Sequence, residues 1–86
     1  MPVISSFFGI EISMYYDDHN PPHFHAKYGE YKALVDIKRS RIMKGFMPSS
    51  QVKLVLAWSI IHKDELMNDW ELAKMMEELK KIEPLR

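Results

Sequence analysis

The sequence predicts a single α+β domain in which a small antiparallel sheet of three or four strands is followed by two C-terminal helices. Three observations carry this prediction. The chain has 86 residues, enough for one domain spanning 1–86. Apolar and polar residues alternate in its first half, which is typical of strands with one buried face. After Pro48, which is tolerated in the first turn of a helix, the spacing of apolar residues becomes helical.

The first predicted strand covers residues 10–16, IEISMYY, in which every second residue is apolar or aromatic. The segment DDHNPP that follows is rich in turn formers and ends this strand. Residues 23–36 predict a hairpin around Gly29 and Glu30, because glycine at the first of two turn positions favours a type II′ turn. A further strand over residues 41–47 completes the predicted sheet.

Two helices follow in the prediction. Residues 49–67 form the first, and its segment 52–61 is apolar on nearly every side, so we expect it to be buried on several sides, in part by a partner. Asn68 and Glu71 resemble a capping box that begins a second helix over residues 69–80. Alternatively, Asn68 lies within one longer helix.

Composition indicates a reducing compartment. The chain has no cysteine, which excludes disulfides, thiolate zinc sites and cysteine nucleophiles. Its N-terminus lacks the pattern of a signal peptide, and no apolar run approaches the roughly 18 residues of a membrane span. We therefore expect a cytoplasmic protein without membrane contact.

The net charge is zero, but bases and acids are separated along the chain. Bases predominate over residues 27–44 and acids predominate from Asp64 onward. Such a division suits a nucleic-acid surface or a head-to-tail partner. The zero net charge argues against strong phosphate binding and favours two solvated surfaces that balance each other.

Three of the four histidines lie in the segment HNPPHFHA around a double proline. The two-residue hairpin loop predicts that Ala26 faces Ala33, His25 faces Leu34 and His23 faces Asp36. One side of the hairpin then carries mostly polar and charged side chains. The residues on this side are His23, His25, Lys27, Lys32, Leu34 and Asp36.

Two interpretations of the histidine pair stay open. His23 and His25 act as a general acid–base pair or share a divalent metal ion, with Asp36 fixing the tautomer of His23. The third ligand then comes from one of four candidates: His62, His19, Asp17 or Asp36. In the other interpretation both histidines are structural and bond to Asp36 and to the backbone.

The second half holds further candidate site residues. His62 is a candidate catalytic residue, although a structural histidine beside Trp58 with Glu65 as its partner is the simpler interpretation. Trp58 is a candidate binding residue. Trp70 is expected to anchor the core or an interface.

Three segments, YYDDHNPPHFHAKYGEY, VLAWSIIHKDELMNDWELA and KKIEPL, resemble a family of small prokaryotic proteins catalogued as a domain of unknown function, family 4160. The resemblance singles out His23, His25, His62 and Trp70 as the family's signature. It implies a bacterial cytoplasm and a second small protein encoded nearby, in an arrangement like a toxin–antitoxin pair. It implies no activity.

Two functional hypotheses follow. The favoured one is a protein-interaction module that pairs with itself or with a second small protein, supported by the short chain, the apolar helix and the divided charge. The alternative is a small toxin-like ribonuclease, histidine-based or metal-dependent. In it, Lys27, Lys32, Arg39 and Arg41 bind the RNA backbone beside His23 and His25.

Overall fold

The computed structural model describes residues 2–86, in which five strands precede two helices. The strands are β1 (Val3–Phe7), β2 (Ile10–Ser13), β3 (His23–Tyr28), β4 (Tyr31–Asp36) and β5 (Arg41–Phe46), and the helices are α1 (Ser49–Ile61) and α2 (Lys63–Lys74). The strands form one antiparallel sheet in the order β1-β2-β3-β4-β5, so each strand pairs with its neighbour in sequence. Within residues 2–86, neither helix has the length and apolar character needed to cross a membrane.

The predicted hairpin register is confirmed along the whole of β3 and β4. His23 pairs with Asp36 and His25 with Leu34, as the two-residue loop requires. Gly29 has φ +57°, which is compatible with its place at the first turn position. The sequence therefore determines locally that both histidines of β3 project from the same side of the sheet.

The predicted number of strands, three or four, is wrong because the structure has five. The missed strand is β1, in which a bulge between Val3 and Ser5 shifts the register. Its neighbours Ile4 and Ser5 are both buried, so apolar and polar residues do not alternate cleanly there. The turn after β1 places Phe8 at φ +48° and Gly9 at φ +78°. Gly9 is a turn signal, but Phe8 occupies a position that normally favours glycine or asparagine, so the signal is only half present.

The predicted helix boundaries are also displaced. α1 ends at Ile61, and α2 begins at Lys63 and includes Asn68 in its interior rather than at its start. One straight helix from residue 49 to residue 74 would be about 39 Å long, whereas the longest dimension of the molecule is 33 Å. The break at His62 keeps both helices on the sheet.

The core lies between the helices and one face of the sheet. Trp58 of α1 is fully buried and contacts the rings of Phe7 and Phe24, with centroid distances of 5.2 and 5.7 Å. α1 is less enclosed than its composition suggests, because Ile60 and Ile61 are 62% and 65% exposed. Among residues 2–86, other elements therefore cover only one side of α1.

The C-terminal tail, residues 77–86, is irregular but is bonded to the core. Ile82 donates its N–H to the Ile4 carbonyl oxygen at 2.8 Å, which attaches the tail to β1. Trp58 donates its indole N–H to the Glu83 carbonyl oxygen at 2.8 Å. Asp69 Oδ1 accepts the Lys80 N–H at 2.9 Å.

Replacing Asp69 should change how stability depends on pH. Burial raises the pKa of Asp69 above 3.8, although the N–H and charge of Lys80 oppose the shift. The Asp69 carboxyl therefore holds its proton more tightly in the folded protein than in the unfolded chain. Protonated Asp69 stabilises the folded state at low pH, and this stabilisation is lost as pH rises from 3.8 through the pKa of Asp69 in the folded protein. In urea unfolding experiments, the free energy of unfolding of Asp69→Asn should therefore increase relative to that of wild type as pH rises over this range.

Asp69→Ala is the comparison, because it leaves the Lys80 N–H without its partner and should lower the free energy of unfolding by about 0.5–1.5 kcal/mol. An Asn variant whose stability followed the wild-type pH profile would contradict the assignment.

Candidate metal centre

The loop between β2 and β3 positions an aspartate beside the two histidines. Asp17 adopts φ +50° and donates its N–H to the Ala73 carbonyl oxygen at 3.2 Å, so the loop is attached to the end of α2. The next residue, Asp18, accepts the His19 N–H on Oδ1 at 2.8 Å. Its second oxygen, Oδ2, is left facing the histidines of β3.

His23 is buried at the start of β3. Its Nδ1 donates to the Pro21 carbonyl oxygen at 2.8 Å, and its Nε2 lies 3.0 Å from Asp18 Oδ2. The ring packs against Trp70 of α2 with a centroid distance of 5.4 Å. Three contacts therefore fix the orientation of this imidazole.

His25 lies two residues further along β3 and is more accessible. Its Nε2 is buried, has no hydrogen-bond partner and lies 3.5 Å from Asp18 Oδ2. Tyr15 stacks on the ring at a centroid distance of 4.1 Å. The unpartnered nitrogen thus points at the same carboxylate oxygen as His23 Nε2.

The hydrogen bonds of His23 require a positive charge at this site. The Pro21 carbonyl oxygen only accepts, so Nδ1 carries a proton, and the ionised Asp18 carboxylate also only accepts. Nε2 therefore either carries a second proton or binds a cation that the carboxylate shares. The Nδ1–H bond to a backbone carbonyl is the arrangement that orients metal-binding histidines in proteins.

The distances fit a metal ion. One ligand atom each from Asp18, His23 and His25 lies within 4.8 Å of the others, and within residues 2–86 no other group of three such side chains does so. Metal–ligand bonds of about 2.0–2.1 Å at tetrahedral angles separate ligand atoms by roughly 3.3 Å. The observed 3.0 and 3.5 Å lie on either side of that value. Two histidines and one carboxylate leave coordination positions open for water and substrate.

The ionisation of the cluster also suits a metal. Burial alone would raise the pKa of Asp18, but the His19 N–H, the charge of His23 and the contacts with both histidines outweigh burial and lower it. Burial lowers the pKa of His25, and His23 lowers it further against the opposing effect of Asp18. Near neutral pH, Asp18 is therefore ionised and His25 is neutral, the forms that bind metal.

A groove opens directly beside His25. It has a volume of about 370 Å³ and lies on the face of the sheet that the helices do not cover. The residues that line it belong to β2, β3, β4 and β5, together with Tyr15, whose ring stacks on His25. The lining side chains include Glu11, Ser13, Tyr15, His25, Lys27, Lys32, Leu34 and Lys44.

The structure does not bring the other candidate ligands to the pair. Asp36 pairs with His23 in the strand register, but its carboxylate accepts the Arg39 N–H at 2.9 Å, so the expected role in fixing the His23 tautomer is wrong. His62 donates Nδ1–H to Glu65 at 2.6 Å and lies outside the cluster. Neither Asp17 nor His19 belongs to it.

The remaining predicted site residues divide between groove and core. Lys27 and Lys32 line the groove. Trp58 and Trp70 are buried, at 0% and 1% exposure, and Trp70 reaches the site only through its contact with His23. Arg39 contacts Asp36 at 3.5 Å.

Sequence reasoning missed the third member of the cluster, Asp18. The available signal was its place beside the double proline, in the loop that must return the chain to β3. Lys44 and Tyr15 were missed as well, because their places in the groove depend on the pairing of β5 and on the loop after β2.

The comparisons with known proteins give a family. No curated protein and no solved structure matches the chain. The profile of a domain of unknown function (DUF4160) matches residues 9–71, which include Asp18, His23, His25, His62 and Trp70. The resemblance seen in the sequence is thereby confirmed, and the chain belongs to the DUF4160 family.

Proposed function

We propose that this protein is a small divalent-metal-dependent phosphodiesterase that cleaves nucleic acid. The observation that carries the proposal is the convergence of Asp18 Oδ2 with His23 Nε2 and the unpartnered His25 Nε2 at the edge of a lysine-lined groove. This is the ribonuclease hypothesis of the sequence, now with Asp18 as the third ligand. The absence of cysteine keeps the cytoplasm as the proposed location.

The chemistry required is hydrolysis of a phosphodiester. A divalent ion held by Asp18, His23 and His25 would supply a Lewis acid for a phosphoryl oxygen and would lower the pKa of a bound water molecule. The water oxygen bonds to phosphorus, the bond to one ester oxygen breaks, and that oxygen leaves with the proton that water has lost. Lys27 and Lys32 offset the negative charge that develops on the phosphoryl group.

A second proposal is an interaction module of a toxin–antitoxin-like pair. It is supported by Ile60 and Ile61, exposed side by side at the end of α1, where a second copy of this chain or another small protein would bury them. The two proposals are compatible, because these isoleucines lie outside the Asp18 cluster and outside the groove.

Cleavage should require both metal and His25. Purified wild-type protein incubated with bis(p-nitrophenyl) phosphate and Zn²⁺, Mn²⁺ or Mg²⁺ should release nitrophenolate, and EDTA should stop the release. His25→Ala should lower the rate by about 100-fold or more, because it removes a ligand from the ion that polarises phosphate.

His19→Ala is the matched control, since His19 is exposed and contributes only its backbone N–H to Asp18. It should keep the wild-type rate. Hydrolysis that persisted in EDTA, or wild-type protein inactive with all three metals, would overturn the phosphodiesterase proposal and leave the interaction module.

A further inference from the structure

The uncovered face of the sheet carries an unbalanced set of charges. Lys27 on β3 lies directly opposite Lys32 on β4. Lys44 on β5 lies opposite Leu34 on β4. Like charges in directly opposed positions destabilise a sheet, and a negatively charged ligand bound over these lysines would offset their repulsion. Among residues 2–86, none of these lysines forms a salt bridge.

Glu11 is the one acidic side chain in this groove. It pairs in register with Lys27 and lies among the lysines of the lining. A carboxylate in a phosphate-binding groove repels phosphate, but it accepts hydrogen bonds from ribose hydroxyls. Its position therefore favours a ribose-containing ligand over a simple polyanion.

An exposed aromatic ring lies at the His25 end of the lysine-lined groove. Tyr15, stacked on His25 beside the cluster of Asp18, His23 and His25, is 42% exposed. Exposed rings next to basic side chains are the surface on which unpaired bases stack, and stacking needs bases that are free of a complementary strand.

We propose that a single strand of RNA binds across this face, with its phosphates on Lys27, Lys32 and Lys44 and a base stacked on Tyr15. The inference rests on the proposed phosphodiesterase function, because His25 belongs to both the groove and the Asp18 cluster. A strand in the groove therefore passes the cluster of Asp18, His23 and His25. Glu11 accepts a hydrogen bond from a 2′-hydroxyl of the bound strand.

Binding is measurable without catalysis. Wild-type protein in EDTA should raise the fluorescence anisotropy of labelled oligouridine, with weaker binding to oligodeoxyuridine and to duplex RNA. Three phosphate contacts to a single strand predict that affinity falls roughly twentyfold between about 50 and about 200 mM salt. The triple variant Lys27→Ala/Lys32→Ala/Lys44→Ala should lose most of this salt dependence. Glu11→Ala removes the acceptor for the 2′-hydroxyl and should narrow the difference in affinity between RNA and DNA.

The matched control is Lys53→Ala/Lys74→Ala/Lys80→Ala, which removes the same charge from the helices and the tail. It should bind oligouridine like wild type. Equal weakening by both triple variants, tighter binding to duplex RNA, or no binding would overturn the single-strand inference. Hydrolysis of bis(p-nitrophenyl) phosphate needs no RNA surface, so its persistence in that case would leave the phosphodiesterase proposal standing.

Discussion

Alanine at any one of Asp18, His23 or His25 should abolish tight binding of one divalent ion per chain. Each substitution removes one of three ligands, and loss even of an outer partner of a ligand costs about 10–100-fold in metal affinity. We expect losses above about 100-fold in calorimetric titrations with Zn²⁺ and Mn²⁺, and metal-free protein by elemental analysis after dialysis.

The chain supplies its own controls outside the cluster. Asp17→Asn removes a neighbouring negative charge but keeps a side chain that tolerates φ +50°, and His62→Ala removes a histidine whose Nδ1 bonds to Glu65 instead. Both variants should bind metal like wild type. Wild-type protein that bound no ion, or control variants that lost as much affinity as His25→Ala, would make the histidine pair structural.

Stability measurements separate the two interpretations of the histidines. A metal at about 100 times its dissociation constant stabilises the folded state by roughly 2.7 kcal/mol, so Zn²⁺ should raise the unfolding temperature of wild type but not of His25→Ala. If His23 and His25 are structural, we expect the opposite result. His25→Ala would then lower the unfolding temperature in EDTA, and metal would change neither protein.

The sequence could predict the histidine side of the site because hairpin geometry is local. Gly29 fixes a two-residue loop, and that loop sets every pair from Tyr28–Tyr31 to His23–Asp36. The same logic led to a wrong role for Asp36, because strand register places backbones opposite each other but does not direct a carboxylate. Asp36 instead accepts the Arg39 N–H in the following turn.

Asp18 could not be placed from the sequence because its position depends on contacts across the fold. The bond from the Asp17 N–H to the Ala73 carbonyl oxygen attaches the loop to a helix more than fifty residues away in sequence. The break at His62, which determines where Ala73 lies, has no glycine or proline to signal it. The three-ligand cluster thus depends on the tertiary fold, which brings the loop that carries Asp18 to the two histidines of the hairpin.

The same dependence on tertiary contacts makes Trp58 the most sensitive position in the core. Trp58→Ala should lower the free energy of unfolding by about 3–5 kcal/mol, a large share of the roughly 5–15 kcal/mol typical of whole domains. Because a loss of that size approaches the whole stability of a small domain, Trp58→Phe is the working test. It loses the indole bond to the Glu83 carbonyl oxygen and should cost about 1–2 kcal/mol in urea unfolding.

Trp70→Phe is the matched control, since it makes the same change at an equally buried tryptophan without an indole hydrogen bond in the described chain. Trp58→Phe should also speed hydrogen exchange at the Ile82 N–H, which attaches the tail to β1, while Trp70→Phe should not. Trp70→Phe should instead weaken metal binding, because Trp70 holds the ring of His23. Equal exchange at Ile82 in both variants would show that Trp58 does not hold the tail, and unchanged metal affinity in Trp70→Phe would show that His23 is oriented by Pro21 and Asp18 alone.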